Sequence, residues 1–279
     1  MRRVKTSSSV KRWIVVGLQL ILIWIVIVSM ISFAFADSIT AAEQATPFHP
    51  GEELVFEVKW KFIPAGEAVL KVLQVKKING VEHYHFLMTA KTYKYIDPLY
   101  KVRDRIDAYT DVQMTYSRLY KQKNRGRRKK DIVLNFDLER QQVQYTKNGK
   151  KRKPISILPG SFDPLSVFYA FRFFHLKENM VLEVPVTDGK KCVIGKGTVI
   201  KRETIRLKNG TYDTYLVEPD LKHIGGVFRK SKNAKLRIWV TADERRIPVK
   251  IESEVIVGSF VAELISAKGN AQNLFASEP

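Results

Sequence analysis

The sequence predicts an all-β protein, mainly antiparallel, built as one large curled sheet, an open barrel or a sandwich, with a single aromatic-rich helix. Three observations carry this. Many short segments alternate apolar and polar residues, the period of a strand with one buried face. Asn-Gly pairs at 79–80, 148–149 and 209–210 separate such segments, as hairpin turns do. Strands and helices do not alternate along the chain, which argues against a parallel sheet.

The first strand is predicted over Glu53–Phe62, after a turn at Pro47-Phe48-His49-Pro50-Gly51. In its LVFEVKWKF stretch, Leu54, Phe56, Val58, Trp60 and Phe62 share one face. That face covers either packed core or a ligand cavity. Ile63-Pro64-Ala65-Gly66 reads as a break, because Pro lacks a donor and Gly accepts turn dihedrals. Glu67–Lys77, His83–Thr92, Lys101–Tyr109, Thr115–Lys123, Asp131–Asp137 and Val143–Thr146 come next. The second half adds Val181–Thr187, Cys192–Leu207, Tyr212–Glu218, Leu236–Thr241, Val249–Val257 and Ser259–Ser266.

One segment departs from the strand period. Phe162–Phe174 carries Asp163 as N-cap, Pro164 at the first helical position, and an apolar stripe of Leu165, Phe168, Ala170, Phe171 and Phe174. This helix is expected to pack on the sheet or plug the mouth of an open barrel. A second helical turn is expected to begin at Asp97-Pro98-Leu99-Tyr100.

Residues 1–36 read as a targeting segment. Five cations precede an uncharged 24-residue run, Trp13–Ala36, that ends Ala34-Phe35-Ala36. The small-x-small ending points to a secretory signal cut after Ala36. The length also suits a membrane span of about 20 residues, so an uncleaved anchor is the second reading, with membrane contact through residues 13–36. Either way residues 37–279 are exported. They divide into a linker at 37–50, a β-rich domain at 51–267 and a loose tail at 268–279. Cys192, the single cysteine, cannot form an internal disulfide, so the core must hold the domain together.

The chain holds 48 Lys+Arg against 28 Asp+Glu, a net charge of +20. Such a balance favours an anionic surface or partner, or serves solubility alone. Outside the cytoplasm nucleic acid drops out, leaving lipid headgroups, lipopolysaccharide or acidic glycan. The densest cations lie in two turns: Arg127, Arg128, Lys129 and Lys130, and Lys150, Lys151, Arg152 and Lys153. These are candidates for an anionic surface, expected at opposite ends of the ribbon between them. An exposed loop without a partner is the competing reading.

No serine-hydrolase elbow, zinc-protease helix or phosphate-cradling glycine loop is present. No catalytic residue, metal or cofactor is therefore expected. His83 and His85 would share a strand face and read as half-exposed residues beside an edge rather than as metal ligands. Arg103, Arg105 and Asp107 share a face, which allows an Arg–Asp pair or an anion-binding row. Asp243-Glu244-Arg245-Arg246 reads as a solvated turn. His49, His175 and His223 read as surface or capping residues.

Four blocks together, PGEELVFEVKWKFIPAGEAVLKV, DPLYKVRDRIDAY, FDPLSVFYAFR and LRIWVTADERRIPVKIESEVIVGSFVAEL, resemble an exported bacterial family, the domain of unknown function 3108. The resemblance implies a periplasmic, β-rich protein of a Gram-negative bacterium. It implies no activity and no site residues.

The combined expectation is a non-enzymatic periplasmic protein that binds or carries a lipid or other amphipathic, anionic envelope component. Phe56, Trp60, Phe168, Phe171 and Phe174 would line its cavity, and Arg103 and Arg105 would meet the headgroup. The alternative is an envelope assembly or scaffold protein whose basic loops contact a protein or glycan partner. An enzyme acting on glycans through paired carboxylates is a third class.

Overall fold

The computed structural model describes residues 46–127, 129–222, 234–255, 258–269 and 271. The expected leader, residues 37–45 of the linker, Arg128, His223 and residues 272–279 of the tail lie outside them.

The described strands form one antiparallel sheet. They are β1 (Glu53–Trp60), β2 (Ile63–Ile78), β3 (Val81–Thr92), β4 (Arg103–Asp111), β5 (Ser117–Arg125), β6 (Lys129–Asp137), β7 (Gln142–Lys147) and β8 (Lys150–Lys151). After the short β9 (Ile155–Ser156) come β10 (Val181–Thr187), β11 (Cys192–Leu207), β12 (Gly210–Pro219), β13 (Lys235–Thr241), β14 (Pro248–Val255) and β15 (Gly258–Lys268). The order across the sheet is β10 to β15, then β1 to β8, with β9 beside β7. The first and last strands therefore meet in the middle, where Phe56 faces Leu264.

The two edges, β8 and β10, come from mid-chain, and the segment joining them carries the helix. That helix is shorter than expected: α1 is Ser166–Ala170, followed by a 3-10 turn at Phe171–Phe173. Asp163 caps it from outside, its carboxylate accepting from the Leu165 and Ser166 N–H groups, each at 2.9 Å. Phe162 bridges Val186 in parallel and so covers the β10 edge. The Gly189 backbone lies against the Leu134 and Tyr145 side chains, bringing the β10–β11 turn onto β6 and β7. The sheet stays open, and the helix in the segment joining its edges packs Tyr169 against Phe48 and Phe86.

Two Asn-Gly pairs form the turns their sequence predicts. Asn79 and Gly80, and Asn148 and Gly149, have positive φ at both positions, the geometry of a tight hairpin turn. The Pro64 break is not one. The turn falls at Lys61–Phe62, with Lys61 at φ 54°, and Pro64 sits inside β2. A bulge between Val58 and Lys59 accommodates the missing donor. Phe62 is consequently a turn residue, 95% exposed, and not the fifth member of the apolar face.

Phe48, expected in the linker, is wholly buried, with its ring edge-on to Tyr84, Phe86 and Tyr169 at 5.3–5.4 Å. Ala271, expected in the loose tail, is also buried. His83 and His85 are buried, because β3 runs between β2 and β4 and is no edge. The two basic turns lie at the same end of their ribbon: β6 starts where β7 stops, so Ile132 faces Lys147.

Candidate functional site

Buried apolar side chains fall into two groups. The larger runs from Phe48 and Phe56 through Phe86, Leu134 and Tyr145 to Tyr169 of α1. The smaller comprises Leu176, Leu182, Val199, Val217 and Val240, with Phe171 and Phe174 packed against it. Between α1 and strands β10 to β13 lies a cavity of about 380 Å³.

Strand periodicity builds its walls. Leu182, Val184 and Val186 alternate along β10 and line the cavity. Their partners on β11 are Gly197, Gly195 and Val193. Neither glycine contributes a side chain; at Gly195 the Val186 side chain closes in, where an added Cβ would lie 3.1 Å from it, and at Gly197 the wall recedes. A Cβ added at Gly197 would meet only Val217, at 3.7 Å, so the space there is real. Val217 of β12 faces Ile238 of β13, and both continue the lining.

The opposite wall is helical. Phe168, Phe171 and Phe174 follow a three-residue spacing and face the cavity. Tyr169 points away, stacked on Phe86 at 3.9 Å between ring centroids. The helical segment thus partitions the interior: one side completes a filled core, the other bounds open space.

The charged side chains in the lining are those of Asp188, Lys191, Lys196, Asp220, Arg172 and Arg246. Lys196 is paired with Glu183 at 2.5 Å. Arg172 is spent on Glu52, at 2.6 and 3.0 Å. Arg246 donates to the Arg172 carbonyl at 2.9 Å, and burial lowers its pKa from the ordinary guanidinium value. The Lys191 ammonium pairs with no described residue, which leaves it able to meet an anionic group.

Of the expected cavity residues, Phe168, Phe171 and Phe174 line it. Phe56 does not; it is 1% exposed in the filled core beneath β1. Trp60 ends β1 beside Gly258, away from the cavity. Arg103 and Arg105 are also elsewhere. Arg103 holds Asp97 at 2.7 and 3.1 Å and the Thr92 carbonyl at 3.1 Å. Arg105 forms the Arg–Asp pair anticipated from its spacing, two bonds of 2.7 Å to Asp107, on an exposed face. Neither lines the cavity, because β4 is distant from β10 to β13 in the strand order. The 243–246 turn is not simply solvated, since Arg246 reaches the cavity.

Reasoning from sequence missed Leu182, Val184, Val186, Gly195, Gly197 and Ile238. The available signal was VLEVPV alternating beside a strand with glycines two apart. Among the described residues no cluster of three His, Cys, Asp or Glu could hold a metal, and no helix is long and apolar enough to cross a membrane.

Residues 55–265 match the family described as "Protein of unknown function (DUF3108)". The chain belongs to the DUF3108 family. No curated protein matches it in sequence. Among solved structures it is similar to a β-barrel-like DUF1849 protein from Brucella abortus, with 8% identity and a TM-score of 0.50 over 78% of this chain and 97% of that one. A Bacteroides fragilis protein with a YmcC-like fold is similar at 8% identity and a TM-score of 0.36, covering 80% and 98% of the two chains. The first likeness shows the fold, a barrel-like sheet. The family match spans β1 to β15 and so includes both the filled core and the cavity.

Proposed function

We propose that this DUF3108 protein is an exported, non-enzymatic envelope protein that binds a lipid or similar amphipathic molecule in the cavity between α1 and β10 to β13. One observation carries the reading: an apolar space is retained inside a domain whose other half is filled. Its size falls in the range of about 300–1,000 Å³ usual for small-molecule sites. Its walls suit an acyl chain, and the unpaired Lys191 in the lining suits an anionic headgroup. Export rests on the leader at residues 1–36. An assembly role through the basic turns is the second reading, favoured by their adjacency at one end of the sheet.

A fluorescent fatty-acid analogue tests the first reading. Its emission should rise on mixing with the protein and fall when unlabelled fatty acid competes. Lys191→Glu should weaken the anionic probe and leave an uncharged apolar probe unaffected. Absence of any saturable, competable signal would remove the cavity as a lipid site.

A further inference from the structure

One end of the sheet carries the β1–β2, β3–β4 and β5–β6 connections, and large apolar side chains stand exposed there. Phe62 is 95% exposed, Tyr95 63%, Leu99 62%, Ile63 52% and Tyr100 51%. Single exposed apolar residues are ordinary, whereas a cluster of them marks a contact surface.

Hydrogen bonds tie the 93–102 loop to the start of β2. The Tyr95 hydroxyl donates to the Pro64 carbonyl, next to Ile63. The Tyr93 N–H donates to the Ala65 carbonyl at 3.0 Å, and the Tyr93 and Tyr95 rings lie 5.7 Å apart. At the other side of the loop, the Arg127 N–H donates to the Lys101 carbonyl at 2.9 Å, and the Arg127 guanidinium sits 6.0 Å from the Tyr100 ring centroid. The apolar group therefore runs from the β1–β2 turn across the 93–102 loop and ends on a cation.

That cation opens a basic field. The Asn148 N–H donates to the Asp131 carbonyl at 2.9 Å, which fixes the β7–β8 turn beside the start of β6. Arg127 and Lys129 on one turn and Lys147, Lys150, Lys151 and Arg152 on the other thus share one end of the sheet. Lys190, from the β10–β11 turn, joins them over the Tyr145 ring at 5.6 Å. Lys130 registers the crowding: burial first, then Lys190 and Lys147, lower its pKa.

We propose that this end of the protein docks on an anionic lipid bilayer, with Phe62, Ile63 and Leu99 entering the boundary between headgroups and acyl chains and the neighbouring cations meeting the headgroups. The geometry favours a bilayer over a protein partner. The exposed apolar residues sit at or beside the connections, Phe62 and Leu99 in turns and Ile63 at the start of β2. Tyr95 and Tyr100 combine an apolar ring with a polar tip, the composition of a membrane interface. Cations beside apolar tips gain both from burial of apolar surface and from the negative surface potential. Docking does not require an occupied cavity, so the two proposals can fail separately.

The test uses residues 37–279, which contain every described strand and core residue and leave out the apolar leader. The protein is sedimented with vesicles of phosphatidylcholine alone and of phosphatidylcholine mixed with phosphatidylglycerol. It should bind the mixed vesicles and release them at high salt. Phe62→Ser with Leu99→Ser should weaken binding about tenfold or more, through lost apolar insertion. Arg127→Ser and Lys129→Ser should each cost about fivefold. Phe62→Trp should add emission that shifts to the blue on binding. All these positions are exposed, and unchanged melting temperatures would verify folding. Failure of the wild-type protein to bind mixed vesicles, equal binding by Phe62→Ser with Leu99→Ser, or an unshifted Phe62→Trp emission would overturn the proposal. So would vesicle-independent sedimentation abolished by the same Ser variants, which would assign the surface to self-association.

Discussion

Arg172 and Glu52 stand 120 residues apart and meet as a two-pronged ion pair, each side chain 1% exposed. Two further Arg172 N–H groups bond backbone carbonyls. Nη2 donates to the Pro47 carbonyl at 2.7 Å and Nε to the Arg245 carbonyl at 2.8 Å. The guanidinium lies over the Phe48 ring at 5.3 Å. One side chain thus ties the turn after α1 to the residues before β1 and to the β13–β14 turn.

A buried ion is costly once its partner is gone. Arg172→Met leaves the Glu52 carboxylate uncompensated and should lower unfolding stability by about 3–5 kcal/mol. Glu52→Leu should cost a similar amount by stranding Arg172. The double variant should lose less than the two single losses combined, since neither charge remains. Urea titrations of the four proteins measure this; additive losses would show that the pair does not act as a unit.

Asp163 anchors the start of α1 from a fully buried position. Its carboxylate accepts four hydrogen bonds: from Ser117 Oγ at 2.6 Å, Ser166 Oγ at 2.5 Å, and the Leu165 and Ser166 N–H groups. Asp163→Ala should cost about 2–4 kcal/mol, the loss of a cap together with stranded buried donors. Asp163→Asn, which keeps an acceptor for the two N–H groups, should lose less. Equal melting temperatures for the Ala variant and wild type would contradict this role.

His85 should make folding pH-dependent. Burial lowers its pKa; Asp107, whose Oδ1 is 2.9 Å from Nε2, opposes the shift, while Lys76 and Arg105 reinforce it. The unfolded chain then binds a proton near the ordinary histidine value of about 6.5, before the folded state does. Its stabilising contribution is complete above that pH and is lost as pH falls toward the lowered folded value. His85→Gln should therefore flatten the decline in melting temperature between neutral and mildly acidic pH. Parallel declines in the variant and wild type would exclude His85 as a source.

Filling the cavity should separate ligand uptake from stability. Gly197→Leu places a side chain where the nearest neighbour of its Cβ is Val217 at 3.7 Å. It should cut uptake of the fluorescent fatty-acid analogue at least tenfold, a loss of about 1.4 kcal/mol or more. The melting temperature should hold or rise, because buried apolar volume replaces empty space. A variant that binds the probe as wild type does would place the ligand elsewhere.

Much of the fold is legible in the sequence because strand periodicity and Asn-Gly turns are local signals. The Asn79-Gly80 and Asn148-Gly149 hairpins, the cap at Asp163 and the Arg105–Asp107 pair depend on spacing of a few residues. Neighbourhoods set by the curl of the sheet are not legible. The apolar strand face of Phe56 and Trp60 suggests a cavity, yet β1 covers the filled half. Arg172 looks like an interruption of an aromatic stripe, and nothing near it in sequence announces Glu52. The expectation of basic turns at opposite ends fails because an antiparallel hairpin returns the chain to its starting end. The cavity wall itself, VLEVPV against glycines 195 and 197, carries a signal visible only once the two strands are paired.

The most direct measurement is native mass spectrometry, with lipid extraction, of the protein exported to a Gram-negative periplasm and purified without detergent. The account predicts a bound amphipathic molecule near one per chain, diminished by Gly197→Leu. A wild-type protein of bare polypeptide mass, with no lipid in the extract, would contradict it.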